Sequence, residues 1–188
     1  ATLKQKHIFY TAMYHSLLFP RKFSEDGRYY SAFDDAVHEG TSYNDYSLWD
    51  TYRAEHPLLI LEAPENVPGM IQSLIQMGRE GGYMPKWPNP TYTGIMIGTH
   101  ADAVIADAIA KGVKDFNTKE AYMQCYKDAF VPSGNDSCNR WADRAPWCGS
   151  PEVRNGLSWY MKLGYVPSDK TNESVSKTLE AAYDDFCV

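Results

Sequence analysis

Residues 64–82 read PENVPGMIQSLIQMGREGG, and this stretch predicts the most clearly amphipathic helix of the chain. Apolar side chains recur along it at intervals of three and four residues: Val67, Met70, Ile71, Leu74 and Ile75. This spacing places them on one face of a helix, which we expect to be buried. Pro64 suits the first helical position, and Gly81-Gly82 suits the C-terminal end.

Working outward from this helix, about seven helices are predicted in all. The others cover residues 5–19, a segment from Ser47, Thr99 to Gly112, residues 118–130, Ser150 to Gly164, and the C-terminal segment from Val175. Pro57 should kink or break the helix that begins at Ser47, because proline lacks a backbone donor. The apolar run 58–61 should be buried, and Asn117 with Glu120 resembles a capping box.

Long segments rich in aromatic residues separate these helices. Residues 20–46 predict a long loop or a short hairpin, with a possible strand at 28–33. Residues 83–98 contain three prolines, which allow a long loop to remain fixed, and the loop presents Lys86 and Trp87. The predicted fold class is therefore all-α. The alternation of helices and aromatic loops resembles a toroid of helical hairpins with a cleft at one end.

The composition limits the classes of partner. The chain has 188 residues, enough for one domain, and it contains 14 Tyr and 5 Trp, which suit a surface that binds polar, ring-shaped ligands. A net charge of −6 argues against nucleic acid as a partner, because phosphate binding needs clustered Lys and Arg. No apolar run is long enough for a membrane span.

The cysteines and two glycosylation sequons favour a secreted protein. Cys138 and Cys148 bracket a loop that a disulfide would staple, at a gain of about 2–3 kcal/mol if it is unstrained. No zinc pattern accompanies them. Asn135 and Asn172 each begin an Asn-x-Ser triplet, the acceptor sequence for N-glycosylation.

The segment Ser47-Leu48-Trp49-Asp50-Thr51-Tyr52-Arg53 is a candidate sugar-binding site. On a helix, Asp50 and Arg53 are three residues apart and share a face, with Trp49 beside them. An indole can stack on the apolar face of a sugar while the charged groups bind its hydroxyls. The alternative is purely structural: Ser47 as a cap, an Asp–Arg pair within the helix, and a tryptophan in the core.

Further candidates carry similar alternatives. Trp87, on the fixed loop, is a candidate ligand contact, and His100 is either a functional residue or a core or capping histidine. Glu180, Asp184 and Asp185 offer three carboxylates near the C-terminus. Adjacent helical residues point about 100° apart, so Asp184 and Asp185 are poorly placed as an acid–base pair and are interpreted as structural.

Five ordered segments together resemble glycoside hydrolase family 92, the calcium-dependent exo-acting α-mannosidases. They are Tyr10–Leu18, Tyr46–Pro57, Gly81–Trp87, Met96–Asp102 and Leu179–Cys187. The resemblance implies an N-terminal β-sandwich followed by an (α/α)6 barrel, and hydrolysis of terminal α-mannose with inversion of configuration. Inverting enzymes use one carboxylic acid and one carboxylate on opposite faces of the sugar. The chain would then be one partial (α/α)6 catalytic-barrel domain over residues 1–188, about three helical hairpins, truncated at the C-terminus.

The resemblance also assigns residues. Asp50 and Arg53 match the Trp-Asp-x-x-Arg segment that lines the mannose pocket of the family, and Trp87 and His100 match motifs beside that pocket. The Glu-Gly-Asn and Gly-Asn-Asp-Asp motifs of the family's acid and base are absent from this sequence. We therefore expect the catalytic residues beyond Val188, and the Ca²⁺ ligands outside this chain.

Two functional hypotheses follow. In the first, the chain is part of an α-mannosidase and supplies part of its sugar pocket, with α-mannoside glycans and the remainder of the polypeptide or other subunits as partners. In the second, it is a non-catalytic, mannosidase-derived carbohydrate-binding or assembly protein.

Overall fold

A computed structural model describes residues 1–133 and 153–188. Within these residues there are eight helices and four short strands. The helices are α1 Leu3–Ser16, α2 Leu48–Thr51, α3 Glu55–Glu62, α4 Val67–Gly81, α5 Ala101–Ala110, α6 Thr118–Phe130, α7 Leu157–Leu163 and α8 Ser174–Cys187. The strands are β1 Arg21–Lys22, β2 Arg28–Ser31, β3 Ala36–Glu39 and β4 Tyr43–Asn44. The helices of the predicted all-α class are present, but two short strand pairs accompany them, so the chain is helix-rich and not purely helical. The arrangement of the helices as a toroid stays a prediction.

Helix α4 is the centre of the core, as its sequence pattern predicts. All five apolar residues of its predicted face are buried, and Ile71, Leu74 and Ile75 are fully so. The helix contacts α5, α6 and β4, and α5 in turn contacts α3 and α8. It ends at Gly81, and Gly82 follows in the left-handed region at φ 101°, where glycine has no steric penalty.

The segment 20–46 forms two nested antiparallel pairs. β1 pairs with β4, and β2 pairs with β3 in between, with Arg28 opposite Glu39 and Ser31 opposite Ala36. Side chains along β2 alternate between exposed and buried, which is the period of a strand with one covered face. The hairpin prediction for this segment is confirmed. The observed strand β2 ends at Ser31, two residues before the end of the predicted range 28–33.

Prolines caused two errors in the predicted helix boundaries. The break after α2 lies at residues 52–54, and Pro57 sits in the first turn of α3, where no intrahelical donor is lost. Similarly, Pro64 lies in a turn, and α4 begins at Val67 with Pro68 in its first turn. Pro57 and Pro68 thus both occupy first-turn positions, which a helix tolerates.

Three apolar segments of the chain are exposed to solvent. Leu61 is 74% exposed, although the run 58–61 was expected to be buried. No residue of α1 is buried, and the C-terminal apolar stripe on α8 is exposed, with Phe186 at 85%. Helix α8 instead buries Ala181 and Asp184 against the core. These apolar faces are therefore open to a further part of the polypeptide or to a partner.

The remaining helix predictions divide into confirmed and corrected ones. Asn117 caps α6 by accepting a hydrogen bond from the backbone N–H of Glu120, as predicted. Helix α7 begins at Leu157, because residues 153–156 form bends and turns that end at Gly156 in the left-handed region. The predicted helix start at Ser150 lies outside the described residues. Among the described residues no helix is long and apolar enough to cross a membrane.

Candidate functional site

A pocket of about 570 Å³ opens between the start of strand β1 and helices α2 and α3. Its volume falls in the range of about 300–1,000 Å³ that small-molecule sites occupy. Asp50 and Trp87 both line it, so the structure brings together two of the predicted sugar-binding residues. The other lining residues are Phe19, Pro20, Arg21, Asp45, Tyr46, Ser47, Thr51, Glu55 and Asn89.

The pocket carries three carboxylates and one guanidinium. Arg21 forms an ion pair with Asp45, with Nη2 and Oδ2 2.7 Å apart, and this neutralises one acid. Burial raises the pKa of Glu55, and the neighbouring carboxylate of Asp50 raises it further. Carboxylate oxygens accept hydrogen bonds, so the acids of the pocket can bind the hydroxyls of a sugar.

The loop that carries Trp87 is fixed by buried hydrogen bonds. The Tyr92 hydroxyl donates to the carbonyl of Tyr83 at 2.5 Å and accepts from the Tyr83 N–H at 3.1 Å. Thr93 donates through Oγ1 to the carbonyl of Trp87 at 2.6 Å. These contacts hold the indole at the pocket without help from a ligand, as expected from the prolines of this loop.

The other three predicted residues, Trp49, Arg53 and His100, meet at a second place. There they surround Glu180 of α8. Trp49 donates through Nε1 to Glu180 Oε1 at 3.2 Å, and Arg53 donates through Nη2 to the same oxygen at 3.3 Å. Glu180 Oε2 lies 3.3 Å from Nε2 of the buried His100. This last approach is an ion-pair distance without hydrogen-bond geometry, since Nε2 has no hydrogen-bond partner in the described structure.

Arg53 does not project from the same helical face as Asp50. Helix α2 ends at Thr51, so Arg53 follows in the turn, and its guanidinium lies over the rings of Trp49 and Tyr52 at 4.3 and 4.5 Å. Its Nη1 donates to the carbonyl of Trp49. The expectation of a shared face fails because the helix is one turn long, and the Asp50–Arg53 pair of the structural alternative is not formed. Ser47 is at the N-cap position, but its side chain makes no capping hydrogen bond.

Behind His100, α8 contributes a fully buried carboxylate. Asp184 accepts a hydrogen bond from the backbone N–H of Thr99 at 2.6 Å, and its Oδ1 lies 2.8 Å from His100 Nδ1. The next residue, Asp185, points elsewhere and binds Arg154 Nη1 at 2.5 Å and the Tyr160 hydroxyl at 3.0 Å. The divergence expected for adjacent helical residues is therefore observed.

A buried charge network extends from this carboxylate into the core. The Arg154 guanidinium, 4% exposed, lies 3.4 Å from Asp102 Oδ2, and Thr99 Oγ1 donates to the same oxygen at 2.9 Å. Burial raises the pKa of Asp102, and the nearby Asp184 adds to this. Burial likewise raises the pKa of Asp128, and the nearby carboxylate of Asp102 raises it further.

The sequence patterns did not identify several residues of the pocket and of the buried charge network. Glu55, Asp45 and Tyr52 were not singled out, and only the aromatic-rich setting of residues 43–55 could have suggested them. Arg154 gave no signal, because its partners are about 30 and 50 residues away in sequence and meet it only in the folded chain. Glu180 was noted, but its convergence with Trp49, Arg53 and His100 depends on the packing of α8.

Two groups of predictions cannot be compared with the structure. Cys138, Cys148 and Asn135 lie outside the described residues, whereas Asn172 is exposed, and its glycosylation stays a prediction. Calcium also stays a prediction. In residues 1–133 and 153–188, the one group of three or more metal-binding side chains is Asp34, His38 and Glu80. An imidazole is a poor ligand for Ca²⁺, which prefers oxygen, so this group does not fit that ion.

Comparison with known proteins gives a consistent result. A family model described as the glycosyl hydrolase family 92 catalytic domain matches residues 1–188. An inverting family GH92 mannosidase of Bacteroides thetaiotaomicron VPI-5482 is 36% identical, with a TM-score of 0.80 over 95% of this chain and 23% of that protein. A family GH92 α-mannosidase of B. thetaiotaomicron is also 36% identical, with a TM-score of 0.82 over 100% of this chain and 23% of that protein. It has also been solved in complex with mannoimidazole, and that structure gives a TM-score of 0.77.

A curated relative of this chain is also described as a glycosidase. An uncharacterized secreted glycosidase of Arthroderma benhamiae is 29% identical over 147 residues, which are 73% of this chain and 17% of the relative. The chain thus spans about a fifth of the length of these relatives. Because the family model matches all 188 residues of this chain and the fold resembles that of family members, the chain belongs to glycosyl hydrolase family 92. It corresponds to part of the family's catalytic domain.

Proposed function

We propose that this chain forms part of the sugar-binding pocket of an inverting exo-α-mannosidase that hydrolyses terminal α-mannose from glycans. The observation that carries the proposal is the pocket lined by Asp50, Glu55 and Trp87 in a chain of family 92. The similarity to two mannosidases, one of them described as inverting, supports the substrate and the stereochemistry.

The pocket offers the contacts that a pyranose needs. The Trp87 indole supplies a flat apolar surface for the C–H face of the ring. Asp50 and Glu55 accept hydrogen bonds from sugar hydroxyls through their carboxylate oxygens. The cluster around Glu180 acts differently in this proposal. It fixes Trp49, Arg53 and His100 by mutual contacts and so sets the orientation of α2, which carries Asp50.

No catalytic acid or base is assigned within this chain. An inverting hydrolase needs two carboxyl groups about 6.5–9.5 Å apart across the sugar. The residue patterns that supply them in the family are absent from this sequence. We propose that these groups, and the ligands of a Ca²⁺ ion, lie in a further part of the polypeptide.

The exposed apolar faces support the existence of such a part. Val175, Leu179 and Phe186 on α8 are 71%, 66% and 85% exposed. Soluble proteins seldom leave a contiguous apolar surface of this kind uncovered. The rest of a longer polypeptide, or another subunit, would cover it. Secretion is also proposed, since the curated relative is a secreted glycosidase.

Calorimetric binding of mannoimidazole to the natural polypeptide tests the pocket. Asp50→Asn should weaken binding about 10- to 100-fold, because a charge-assisted hydrogen bond contributes about 1.5–3 kcal/mol. Trp87→Leu should weaken it similarly by removing the stacking surface. Asp107→Asn and Trp159→Leu make the same chemical changes on α5 and α7, away from the pocket lining, and should leave binding unchanged.

The outcomes separate the two hypotheses. Binding that is lost in the pocket variants, together with mannose release from α-mannosides, supports the mannosidase. Binding without any hydrolysis supports the non-catalytic alternative. Binding that is equal in all four variants and the wild type would refute this pocket as the sugar site.

A further inference from the structure

Three side chains that could bind a metal ion lie close together outside the sugar pocket, between the β2–β3 hairpin and the C-terminal end of α4. Asp34 lies in the turn between β2 and β3, His38 lies on β3, and Glu80 lies in the last turn of α4. One ligand atom from each, a carboxylate oxygen or an imidazole nitrogen, lies within 4.8 Å of the other two. None of the three residues lines the pocket that contains Asp50 and Trp87.

The charges of this cluster are incompletely balanced by its own groups. Two carboxylates face a single imidazole, and His38 Nε2 is 2.8 Å from Asp34 Oδ2. The second oxygen, Asp34 Oδ1, is buried and has no hydrogen-bond partner in the described structure. A buried carboxylate oxygen without a donor is costly, and a cation bound to the Asp34 carboxylate would offset the charge that is left uncompensated there.

Tyr29 contacts two members of this cluster, Glu80 and His38. Its hydroxyl donates to Glu80 Oε1, and its ring stacks on His38 with centroids 5.5 Å apart and an interplanar angle of 28°. Tyr29 is itself 6% exposed, so its position is fixed by packing. Metal-binding side chains in proteins are held by such hydrogen bonds, which set their orientation and raise their affinity.

We propose that Asp34, His38 and Glu80 bind a divalent transition-metal ion of the zinc type, with water at the remaining coordination position. The ion takes the place of the proton between His38 Nε2 and Asp34 Oδ2, and that proton is released to solvent. Imidazole and carboxylate are ligands that zinc accepts, whereas Ca²⁺ prefers six to eight oxygen ligands.

The geometry requires only a small adjustment. Zinc lies about 2.0–2.2 Å from nitrogen and oxygen ligands, so in a tetrahedral site the ligand atoms are about 3.4 Å apart. His38 Nε2 and Asp34 Oδ2, now 2.8 Å apart, would separate by about 0.6 Å, and a rotation of the Glu80 side chain on α4 would bring its carboxylate to the ion. The bound ion would connect the hairpin to the helix at the centre of the core, and would therefore stabilise both.

Titration of ZnCl₂ into the chelator-treated natural polypeptide tests the site by calorimetry. We expect one zinc per chain at this cluster, a rise in thermal midpoint with zinc concentration, and weaker binding at acidic pH, where the imidazole must lose a proton to bind. His38→Gln and Asp34→Asn should remove this binding. Tyr29→Phe keeps the ring but removes the hydroxyl, and should weaken it about 10- to 100-fold.

Controls distinguish this site from other metal binding. His15→Gln removes an exposed histidine on α1 and should leave the zinc affinity unchanged. Excess CaCl₂ should not displace the zinc. Absence of zinc binding in the wild type, or binding that is unaltered in a folded His38→Gln variant, would overturn the proposal, and neither result bears on sugar binding.

Discussion

Glu180 connects three of the predicted site residues, so its replacement measures what that connection contributes. Its Oε1 accepts from Trp49 at 3.2 Å and from Arg53 at 3.3 Å, and the side chain is 18% exposed. A hydrogen bond from Trp49 to a charged acceptor contributes about 1.5–3 kcal/mol. The Arg53 ion pair adds only about 0.2–1 kcal/mol, because the guanidinium is 42% exposed and solvent screens it.

Glu180→Ala should therefore lower the free energy of unfolding by about 2–4 kcal/mol. Glu180→Gln keeps an oxygen that can accept from Trp49 and loses the charge, so it should cost about 1 kcal/mol. Urea denaturation at neutral pH measures both, with Glu62→Ala at the exposed end of α3 as a control that should change stability by less than about 0.5 kcal/mol.

The stability of the two variants relative to the Glu62→Ala control decides the result. If Glu180→Ala and Glu180→Gln are both as stable as the control, the convergence of Trp49 and Arg53 on Glu180 is absent in solution. The proposed role of this cluster in orienting α2 would then be wrong.

Two further predictions concern buried groups. His56 is 4% exposed, and burial lowers its pKa to about 4 from 6.5, so stability should be complete above pH 6.5 and fall by about 3 kcal/mol as the pH drops towards 4. Acid denaturation of His56→Gln, which cannot be protonated in this range, should lack that component, and an unchanged profile would exclude His56 as its source. Tyr92→Phe removes both hydrogen bonds to Tyr83 and should cost about 1–3 kcal/mol by urea denaturation, whereas the exposed Tyr165→Phe should cost almost nothing. Equal effects of these two tyrosine variants would contradict the fixed loop.

Local patterns were sufficient for the parts of the fold that depend on one element. The five-residue apolar face of α4, its glycine end and the Asn117 cap all follow from spacing and residue type, and the structure confirms them. Pro57 and Pro64 show the limit, since a proline permits a helix to begin as readily as it ends one. A sequence window cannot decide between these two outcomes.

The candidate site depends on contacts between distant segments, so the sequence predicts it only in part. Residue types and the family resemblance together selected Asp50 and Trp87, which the structure places in one pocket. They also selected Trp49, Arg53 and His100, but the convergence of these residues on Glu180 joins positions 80 to 131 apart in the sequence. No periodicity reports a contact across such a separation. The exposed stripe on α8 shows the same limit, because an apolar face indicates that something covers it but not what that is.

Proton NMR of the reaction of an α-mannoside with the natural polypeptide, followed from the first minutes, tests the central claim most directly. Inversion at the anomeric carbon of an α-mannoside gives β-mannose as the first product. We expect the β-anomer signal to appear first and the α-anomer to grow later by mutarotation, with both lost or slowed in Asp50→Asn. Release of α-mannose as the first product, or no release of mannose from any α-mannoside, would contradict it.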